Sequence, residues 1–466
     1  MSRIILADLK GRGGCVNKDT VAGGYGSRFQ GHSFVTRLEK NVRRVLQNLP
    51  SIHIGYLASI FANAGHEVVV TRDDKLIEGD LAIVLTSLVD YQHEREWALA
   101  MKRRVTKVGF VGTAATHLPE LFQTFGDFIV SGEPEAAALR IAAGEDPKGH
   151  VTSPAVDDLD SLPFPRWDLA KPQGFSYTRR KFGLTRAVPM LTSRSCPEKC
   201  TYCPHRITAT FRARSDENVL DELTELCRLH EHVHVVIRDP LYTLDRDRTL
   251  RIAQGIRARG LRLTYEVETR MDDLDEQLIR EMHASGLRAI NFGVESPDPL
   301  VLRKVARRFI PYEHMRRMIQ LCWKLGVTTT AFYVIGFLSD TEENIEELIR
   351  FAVDLDSTFA NFKILTPYPG TPQFKQLKSL INDPDWQHFD GYTLNFRHPK
   401  LTPRRARLML GMCYSRFFLR PSNILNLTGM HRYAHLSWLK KVDDWSWWWQ
   451  EYFDRPWLAE RKVTAT

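Results

Sequence analysis

Six apolar runs typical of β-strands follow one another between residues 188 and 365, separated by stretches long enough for helices. The runs read VPMLTSR, HVHVVIR, LRLTYEVE, LRAINFGVES, VTTTAFYVIG and FANFKIL. Strands that alternate with helices form parallel sheets, because each helix returns the chain to the same end of the sheet. Six such units predict a partial (β/α)6 barrel of the TIM type, with its functional side chains at the carboxyl ends of the strands.

The first 150 residues alternate in the same way. HEVVV, LAIVLTS, VGFVG and DFIVSG are strand candidates, and residues 54–64 have helical periodicity that stops at Gly65. We therefore predict an α/β protein whose N-terminal domain is Rossmann-like. The predicted divisions are 1–150 for this domain, 151–184 for a proline-bearing linker, 185–385 for the barrel and 386–466 for a helical C-terminal segment.

Three cysteines fall within eight positions, in SRSCPEKCTYCPHR, directly after the first predicted barrel strand. The other four, Cys15, Cys227, Cys322 and Cys413, are scattered, which is not the pattern of a disulfide framework. Thiolates at Cys196, Cys200 and Cys203 can bind three irons of a 4Fe-4S cubane and leave the fourth iron without a protein ligand. The spacing predicts a cluster with one iron open to a small molecule.

A zinc site is the alternative for the same motif, with His205 as the fourth ligand. Structural zinc usually joins two ligand pairs that are well separated in sequence, whereas all four candidates here fall within ten residues. The position of the motif after a barrel strand favours the cluster, and zinc stays open as an alternative.

The cysteine spacing, Tyr202 just before the third cysteine and the six β-α units resemble the radical S-adenosylmethionine (SAM) superfamily. With the Rossmann-like domain and the Leu-Pro-Phe-Pro stretch at 162–165, the chain is similar to the cobalamin-binding branch, which includes class B methyltransferases and an anaerobic porphyrin ring cyclase. The resemblance implies reductive cleavage of SAM to a 5′-deoxyadenosyl radical, hydrogen abstraction from an unactivated carbon, and methyl transfer from methylcobalamin. A cyclase, oxidase or rearrangement enzyme would use the same parts. An iron-sulfur electron carrier, or a scaffold with a vestigial barrel, is the alternative from another class.

The resemblance also implies binding residues at the strand ends. Those expected to bind SAM are Tyr202, Asp239, Glu268, Arg270, Glu295, Ser296 and Gly336. Those expected to bind cobalamin are Thr86, Ser87, Gly112, Thr113 and Glu133. The family's cobalt-binding Asp-x-His-x-x-Gly loop is absent from the sequence, so the lower ligand of the cobalt is unassigned. A structural alternative is that Glu268 and Arg270, two apart on a strand, pair with each other.

The C-terminal segment holds the excess positive charge of the chain. From residue 391 onward there are 13 Lys and Arg against 5 Asp and Glu, and six of the ten tryptophans follow residue 437. These features predict either peripheral membrane contact or, more simply, a helical cap over the barrel. No nucleic-acid motif accompanies the basic residues, and we expect no nucleic-acid partner. We expect a cytoplasmic protein, or one that contacts a membrane peripherally. We also expect a small-molecule substrate of hydrophobic character and an external reductant such as flavodoxin or ferredoxin.

Overall fold

The computed structural model describes residues 1–12, 16–18, 21–29, 31, 36–38, 40–41, 49–172, 175–178, 183–207 and 209–423. Two mainly parallel sheets, both covered by helices, account for most of these residues. The predicted C-terminal tryptophan cluster, from residue 438 onward, lies outside the described residues. No helix in the described part of the chain is long and apolar enough to cross a bilayer.

The elements fall into two successive groups along the chain. The first group contains β1 (Arg3–Ala7), β2 (Val16–Asn17), β3 (Ser27–Arg28), α1 (Ile52–Asn63), β4 (Glu67–Thr71), β5 (Gly79–Leu85), α2 (Tyr91–Met101), β6 (Val105–Val111), α3 (Thr113–His117), β7 (Phe128–Gly132), α4 (Pro134–Ala142) and β8 (Gly149–Ser153). The second contains α5 (Trp167–Ala170), β9 (Phe175–Thr178), β10 (Gly183–Met190), β11 (Ser193–Arg194), β12 (Arg212–Ala213), α6 (Asp216–Leu229), β13 (Val233–Ile237), α7 (Arg246–Ala258), β14 (Leu263–Thr269), α8 (Glu276–Ala284), β15 (Leu287–Glu295), α9 (Pro299–Lys304), α10 (Tyr312–Leu325), β16 (Thr328–Ile335), α11 (Glu342–Leu355), β17 (Phe359–Ile364), α12 (Pro372–Leu377) and α13 (Pro403–Phe418).

The N-terminal sheet has the strand order β4-β1-β5-β6-β7-β8, and all of its strand pairs are parallel. The order reverses between β1 and β5, so the crevice for a ligand is expected beyond the carboxyl ends of these strands. Two strands, β1 and β8, were not predicted. In β8 only Val151 and Ser153 are buried, which is why an edge strand of sequence GHVTS resembles a linker. The predicted boundary at residue 150 falls inside this strand.

The second sheet has the order β17-β16-β15-β14-β13-β10-β9. Six of its strands, β10, β13, β14, β15, β16 and β17, are parallel and match the six predicted units. Strand β9 adds an antiparallel edge within the stretch predicted as linker. The α/β fold class is confirmed. The helices bury one apolar face each, as α11 does with Ile345, Leu348 and Ile349 behind a capping box of Thr341 and Asn344.

One apolar core runs through both domains. It includes Ile4 and Leu57 of the first domain together with Val188 and Val267 of the barrel. At the junction, Gly55 of α1 lies so close to Pro165 and Trp167 that a Cβ would stand 2.8 Å from each of them. The predicted Leu-Pro-Phe-Pro stretch therefore packs directly on the N-terminal domain, and the two sheets hold a fixed mutual position.

We expect Gly109→Ala to destabilise the N-terminal sheet. A Cβ at residue 109 of β6 would overlap the ring of Phe128 on β7, a side chain that is 1% exposed and has no room to move. Overpacking of this kind costs about 1–3 kcal/mol, measurable by urea denaturation. The control is Gly411→Ala in α13, where a Cβ would meet nothing within 4 Å and is expected to stabilise the helix. Equal stability of both variants would contradict the packing described here.

Candidate functional site

A cavity of about 490 Å³ opens at the carboxyl ends of the barrel strands. Cys196, Cys200 and Cys203 lie on one of its walls, on the loop that follows β11. Side chains from the ends of β13, β14, β15 and β17 form the other walls. The fold therefore brings the cysteine loop and the strand ends around one space, as the barrel prediction requires.

The cysteine loop begins at Ser195, whose φ of 67° is rare for a residue with a side chain. The Ser195 hydroxyl donates to the carbonyl of His205 at 3.0 Å and also to that of Ala209. One hydroxyl thus ties the start of the loop to its end. In the middle of the loop, the amide of Thr201 donates to the carbonyl of Val305 at 3.0 Å.

Burial raises the pKa of the Cys203 thiol to about 12, and the charges of Cys200 and Cys196 act in the same direction. Burial likewise raises the pKa of Cys196. The three thiols are therefore close enough to influence one another, and the raised pKa values keep Cys196 and Cys203 neutral when no metal is bound. A bound metal offsets this, because coordination deprotonates a thiol outright. In the described part of the chain, no three Cys, His, Asp or Glu side chains converge on a single point as a one-ion site such as zinc requires.

Arg307 is a functional residue that the sequence analysis missed. Its guanidinium is 3.8 Å from the Cys200 sulfur, 2.7 Å from the carbonyl of Gly293 and 3.4 Å from a carboxylate oxygen of Glu295. A buried cation beside a thiolate stabilises the negative charge that a cysteine-ligated cluster carries. The sequence signal was the Arg307-Arg308 pair after α9, and only the fold shows that this loop returns to the cysteines.

Four of the residues predicted to bind SAM line the cavity, namely Tyr202, Glu268, Arg270 and Glu295. Arg270 is 1% exposed and holds Asp272 with two nitrogens at 2.9 and 2.8 Å, while its Nη1 has no partner among the described residues. The carboxylate of Glu268 contacts Arg238 at 3.2 Å rather than Arg270. Glu295 has a φ of 66°, which turns the chain at the end of β15.

The other three predicted SAM residues do not reach the cavity wall. Asp239 is buried and accepts hydrogen bonds from the amide of Thr192 at 2.7 Å and from the hydroxyls of Thr192 and Ser193 at 2.5 and 2.7 Å. It fixes the strand that leads into the cysteine loop. The Ser296 hydroxyl accepts from the amide of Asp298, and the Gly336 amide donates to Asp340. The carboxylate of Asp239 is thus used inside the protein, and contact of these three residues with SAM stays a prediction.

A second, smaller crevice of about 90 Å³ lies between the carboxyl edge of the N-terminal sheet and the cysteine loop. Gly112, Thr113 and Glu133 of the predicted cobalamin residues line it, together with His53 and Ser195. It lies beyond the carboxyl ends of β5, β6 and β7, the edge where parallel α/β sheets bind ligands. It shares His205, Arg238 and Pro240 with the larger cavity, so the two spaces adjoin.

Thr86 and Ser87, also predicted to bind cobalamin, lie behind this crevice. The Thr86 hydroxyl donates to the carbonyl of Val111 at 2.9 Å, and the Ser87 hydroxyl donates to Glu94 at 2.7 Å. Glu94 in turn pairs with Lys18 at 2.8 Å, with both side chains fully buried. Both hydroxyls therefore donate to protein groups, and contact of these two residues with cobalamin stays a prediction.

Arg194 joins the cysteine loop to the N-terminal domain. It is 5% exposed and pairs with Glu133 at 3.0 Å and Glu135 at 2.9 Å, above the ring of Tyr56 at 4.9 Å. Burial opposes ionisation of Glu135, but the charges of Arg194 and His53 outweigh it and hold the pKa of this carboxyl well below its usual range. Glu133 also pairs with Arg212. These buried ion pairs of Arg194 with Glu133 and Glu135, called the ionic lock below, tie the chain two residues before Cys196 to the N-terminal domain.

Residues 190–352 match the family model of the Radical SAM superfamily. The chain carries a radical SAM domain. This domain begins at the end of β10 and includes the cysteine loop, Arg270, Glu295 and Arg307.

Two curated relatives resemble the chain over more than half of its length. It is 26% identical over 276 residues to an uncharacterized methyltransferase of Pyrococcus horikoshii, with 58% of this chain and 59% of the relative covered. It is 26% identical over 296 residues to the anaerobic magnesium-protoporphyrin IX monomethyl ester cyclase of Cereibacter sphaeroides, with 61% and 47% covered. The matched region thus spans about half the length of these relatives.

Solved structures share the arrangement of the radical SAM domain and the N-terminal sheet. The methyltransferase TsrM from Kitasatospora setae, solved with cobalamin and a 4Fe-4S cluster, matches with a TM-score of 0.60 and 18% identity over 81% of this chain and 78% of TsrM. The cobalamin-dependent enzyme OxsB, solved with aqua-cobalamin, matches with a TM-score of 0.64 and 13% identity over 97% and 72%. At these identities the likeness establishes the fold, and it confirms the predicted resemblance at that level.

We expect Arg194→Met to destabilise the protein by about 1.5–3 kcal/mol, because Glu133 and Glu135 lose their charged hydrogen bonds to the shared guanidinium, although Arg212 still pairs with Glu133 and His53 with Glu135. Urea denaturation measures the loss, and iron content after anaerobic reconstitution should fall with it. The control is Arg166→Met, since Arg166 and Asp168 form an exposed pair with 42% and 49% of their side chains accessible and the change should cost less than about 1 kcal/mol. Equal losses in the two variants would show that the lock is not the stabilising element.

Proposed function

We propose that this protein is a cobalamin-dependent radical SAM enzyme that methylates an unactivated carbon of a small-molecule substrate. The observation that carries the proposal is the sharing of one cavity by Cys196, Cys200, Cys203, Arg270 and Glu295. A cluster and a molecule of SAM bound there would lie in contact. An external reductant such as flavodoxin or ferredoxin is proposed as the electron source.

The side chains present suit a 4Fe-4S cluster and SAM. Three thiols on one loop leave one iron of a cubane without a protein ligand, and Arg307 compensates negative charge at Cys200. Arg270 has an unpartnered, buried N–H donor for the SAM carboxylate, and the acidic Glu268 and Glu295 suit its amino group and ribose hydroxyls. When bound, the cluster and SAM supply the radical that removes hydrogen from the substrate, and methylcobalamin supplies the methyl group.

The crevice beside the cysteine loop suits part of a cobalamin. Gly112 has a φ of 111° and Gly132 a φ of 104°, so two turns on its floor carry no side chain. Ser195 and His205 form its opposite wall, which puts any occupant next to the cluster loop. The cofactor would then lie between the N-terminal strand ends and the barrel.

Ring closure is the second candidate function. It is favoured by the 26% identity to the anaerobic cyclase of Cereibacter sphaeroides over 296 residues. The two candidates differ in whether a methyl group reaches the product. Anaerobic purification with hydroxocobalamin, followed by the absorption spectrum and cobalt content, tests the cobalamin part of the proposal.

We expect Cys200→Ala to abolish formation of 5′-deoxyadenosine from SAM under reducing, anaerobic conditions, because the cluster loses one of its three ligands. The matched control is Cys227→Ala on α6, a half-buried cysteine outside the cavity, which should retain the activity. Chromatographic quantification of 5′-deoxyadenosine gives the readout. A wild-type protein with an intact cluster and no product would contradict the enzyme proposal and favour an electron carrier.

We expect Arg270→Gln to weaken SAM binding by about tenfold or more, because a hydrogen bond to a charged group contributes about 1.5–3 kcal/mol. Equilibrium dialysis of the reconstituted protein with SAM measures the change, with iron content as the check on the cluster. Arg308→Gln is the control, since Arg308 also faces Asp272, at 3.5 Å, but is 52% exposed and lies outside the cavity wall. Unchanged SAM affinity in both variants would remove Arg270 from the binding site.

A further inference from the structure

The last barrel strand, β17, directs a lysine into the cavity. Along this strand Phe359, Asn361 and Lys363 are half-buried and line the cavity, while the alternate residues Ala360 and Phe362 are buried. Phe362 packs outward against Tyr414 of α13, with ring centroids 5.4 Å apart. This packing fixes the register of the strand, and Lys363 stands near its carboxyl end, where barrels place functional groups.

The charge of Lys363 is not neutralised by the described part of the chain. Three of the four arginines that line the cavity are paired with carboxylates, namely Arg238 with Glu268 at 3.2 Å, Arg307 with Glu295 at 3.4 Å and Arg270 with Asp272 at 2.8 Å, while Arg206 donates to the carbonyl of Lys199. The side-chain ammonium group of Lys363, in contrast, makes no hydrogen bond or ion pair with any described residue. Lys363 is half-buried, and a partly desolvated ammonium group without a carboxylate partner suits an anionic ligand.

Asp390 directly precedes Gly391, which lies beside the lysine, so its carboxylate is the candidate ion-pair partner of Lys363. Its carboxylate instead accepts from the amide of Tyr392 at 2.7 Å and from the hydroxyl of Thr393 at 3.1 Å. It therefore stabilises its own turn. The lysine stem passes Gly391, where a Cβ would stand 3.5 Å from the lysine Cδ.

One aromatic ring lies near the ammonium group, and a second aromatic residue flanks the lysine stem. Lys363 Nζ lies 5.9 Å from the centre of the Tyr392 ring, and the Tyr368 hydroxyl flanks the same glycine as the lysine stem. Tyr368 is held by stacking on Tyr25, with centroids 5.5 Å apart and planes within 5°. Other aromatic residues of the cavity lining are Phe332, Phe359 and Phe418. Such walls suit flat, unsaturated rings, which pack by offset stacking or edge-to-face contact.

We propose that Lys363 binds the anionic group, a carboxylate or a phosphate, of a substrate built on a flat unsaturated ring system. This inference rests on the proposed function, since it names the class of molecule that the radical site acts on. The ring would lie against Tyr392 and Tyr368, and the anion against the Lys363 ammonium group. Lys363 would thereby hold the substrate through one charged contact. Arg270 and Arg307 are assigned to SAM and to the cluster instead.

Isothermal titration calorimetry of the reconstituted full-length protein tests this with three probes of one ring system: 2-naphthoate, 2-naphthyl phosphate and neutral 2-naphthalenemethanol. We expect wild type to bind at least one anion about tenfold or more tightly than the alcohol. Lys363→Met should remove that preference and leave the alcohol affinity unchanged, and Lys363→Arg should keep most of the preference. The anion that binds more tightly identifies the group.

The matched control is Lys375→Met, which removes an exposed lysine on α12 and should change none of the three affinities. Equal wild-type affinities for anions and alcohol, or parallel losses for all probes in Lys363→Met, would overturn the assignment. Formation of 5′-deoxyadenosine by wild type is measured separately. Normal SAM cleavage without anion preference refutes the substrate class alone, whereas anion preference without SAM cleavage refutes the radical chemistry.

Discussion

Arg194 is almost completely buried where the two domains meet, and a buried guanidinium is stable only when carboxylates share its charge. Glu133 and Glu135 provide them from the first turn of α4, at the carboxyl edge of the N-terminal sheet. Because Cys196 follows two residues later, the same ion pairs that join the domains also set the start of the cysteine loop. The position of the cluster relative to the N-terminal crevice therefore depends on this lock.

The charged groups that line the cavity differ in whether a carboxylate is paired with them. Arg307 and Arg270, near the cysteine loop and the ends of β15 and β14, are each paired with a carboxylate, while Arg270 Nη1 has no partner among the described residues. At the end of β17, Lys363 lies beside the ring of Tyr392. The paired arginines and the lysine thus line the same cavity.

The N-terminal domain contributes more than a scaffold to this arrangement. Segment 21–29 reaches across the carboxyl edge of its sheet: Gly23 accepts a hydrogen bond from Thr113 at 2.7 Å, and Tyr25 donates to the carbonyl of Pro369 beyond the last barrel strand at 2.8 Å. This segment spans from the crevice to the barrel exit. Together with Arg194 it makes the crevice and the cavity neighbours, which is the spatial condition for a cofactor that serves both.

The sequence by itself determined the elements that depend on local pattern. Six β-α periods specified the barrel, and the spacing of Cys196, Cys200 and Cys203 specified a loop with three thiols, because hydrophobic period and ligand spacing are written along the chain. Only the tertiary structure decided which polar groups face the cavity. Asp239 sits at a strand end yet turns its carboxylate to Thr192 and Ser193, and Thr86 and Ser87 are satisfied internally. Arg307 joins Cys200 from more than a hundred residues away, and β8 is held by its neighbour β7 rather than by its own apolarity. Such placements follow from hydrogen bonds and ion pairs between distant segments, which no local pattern encodes.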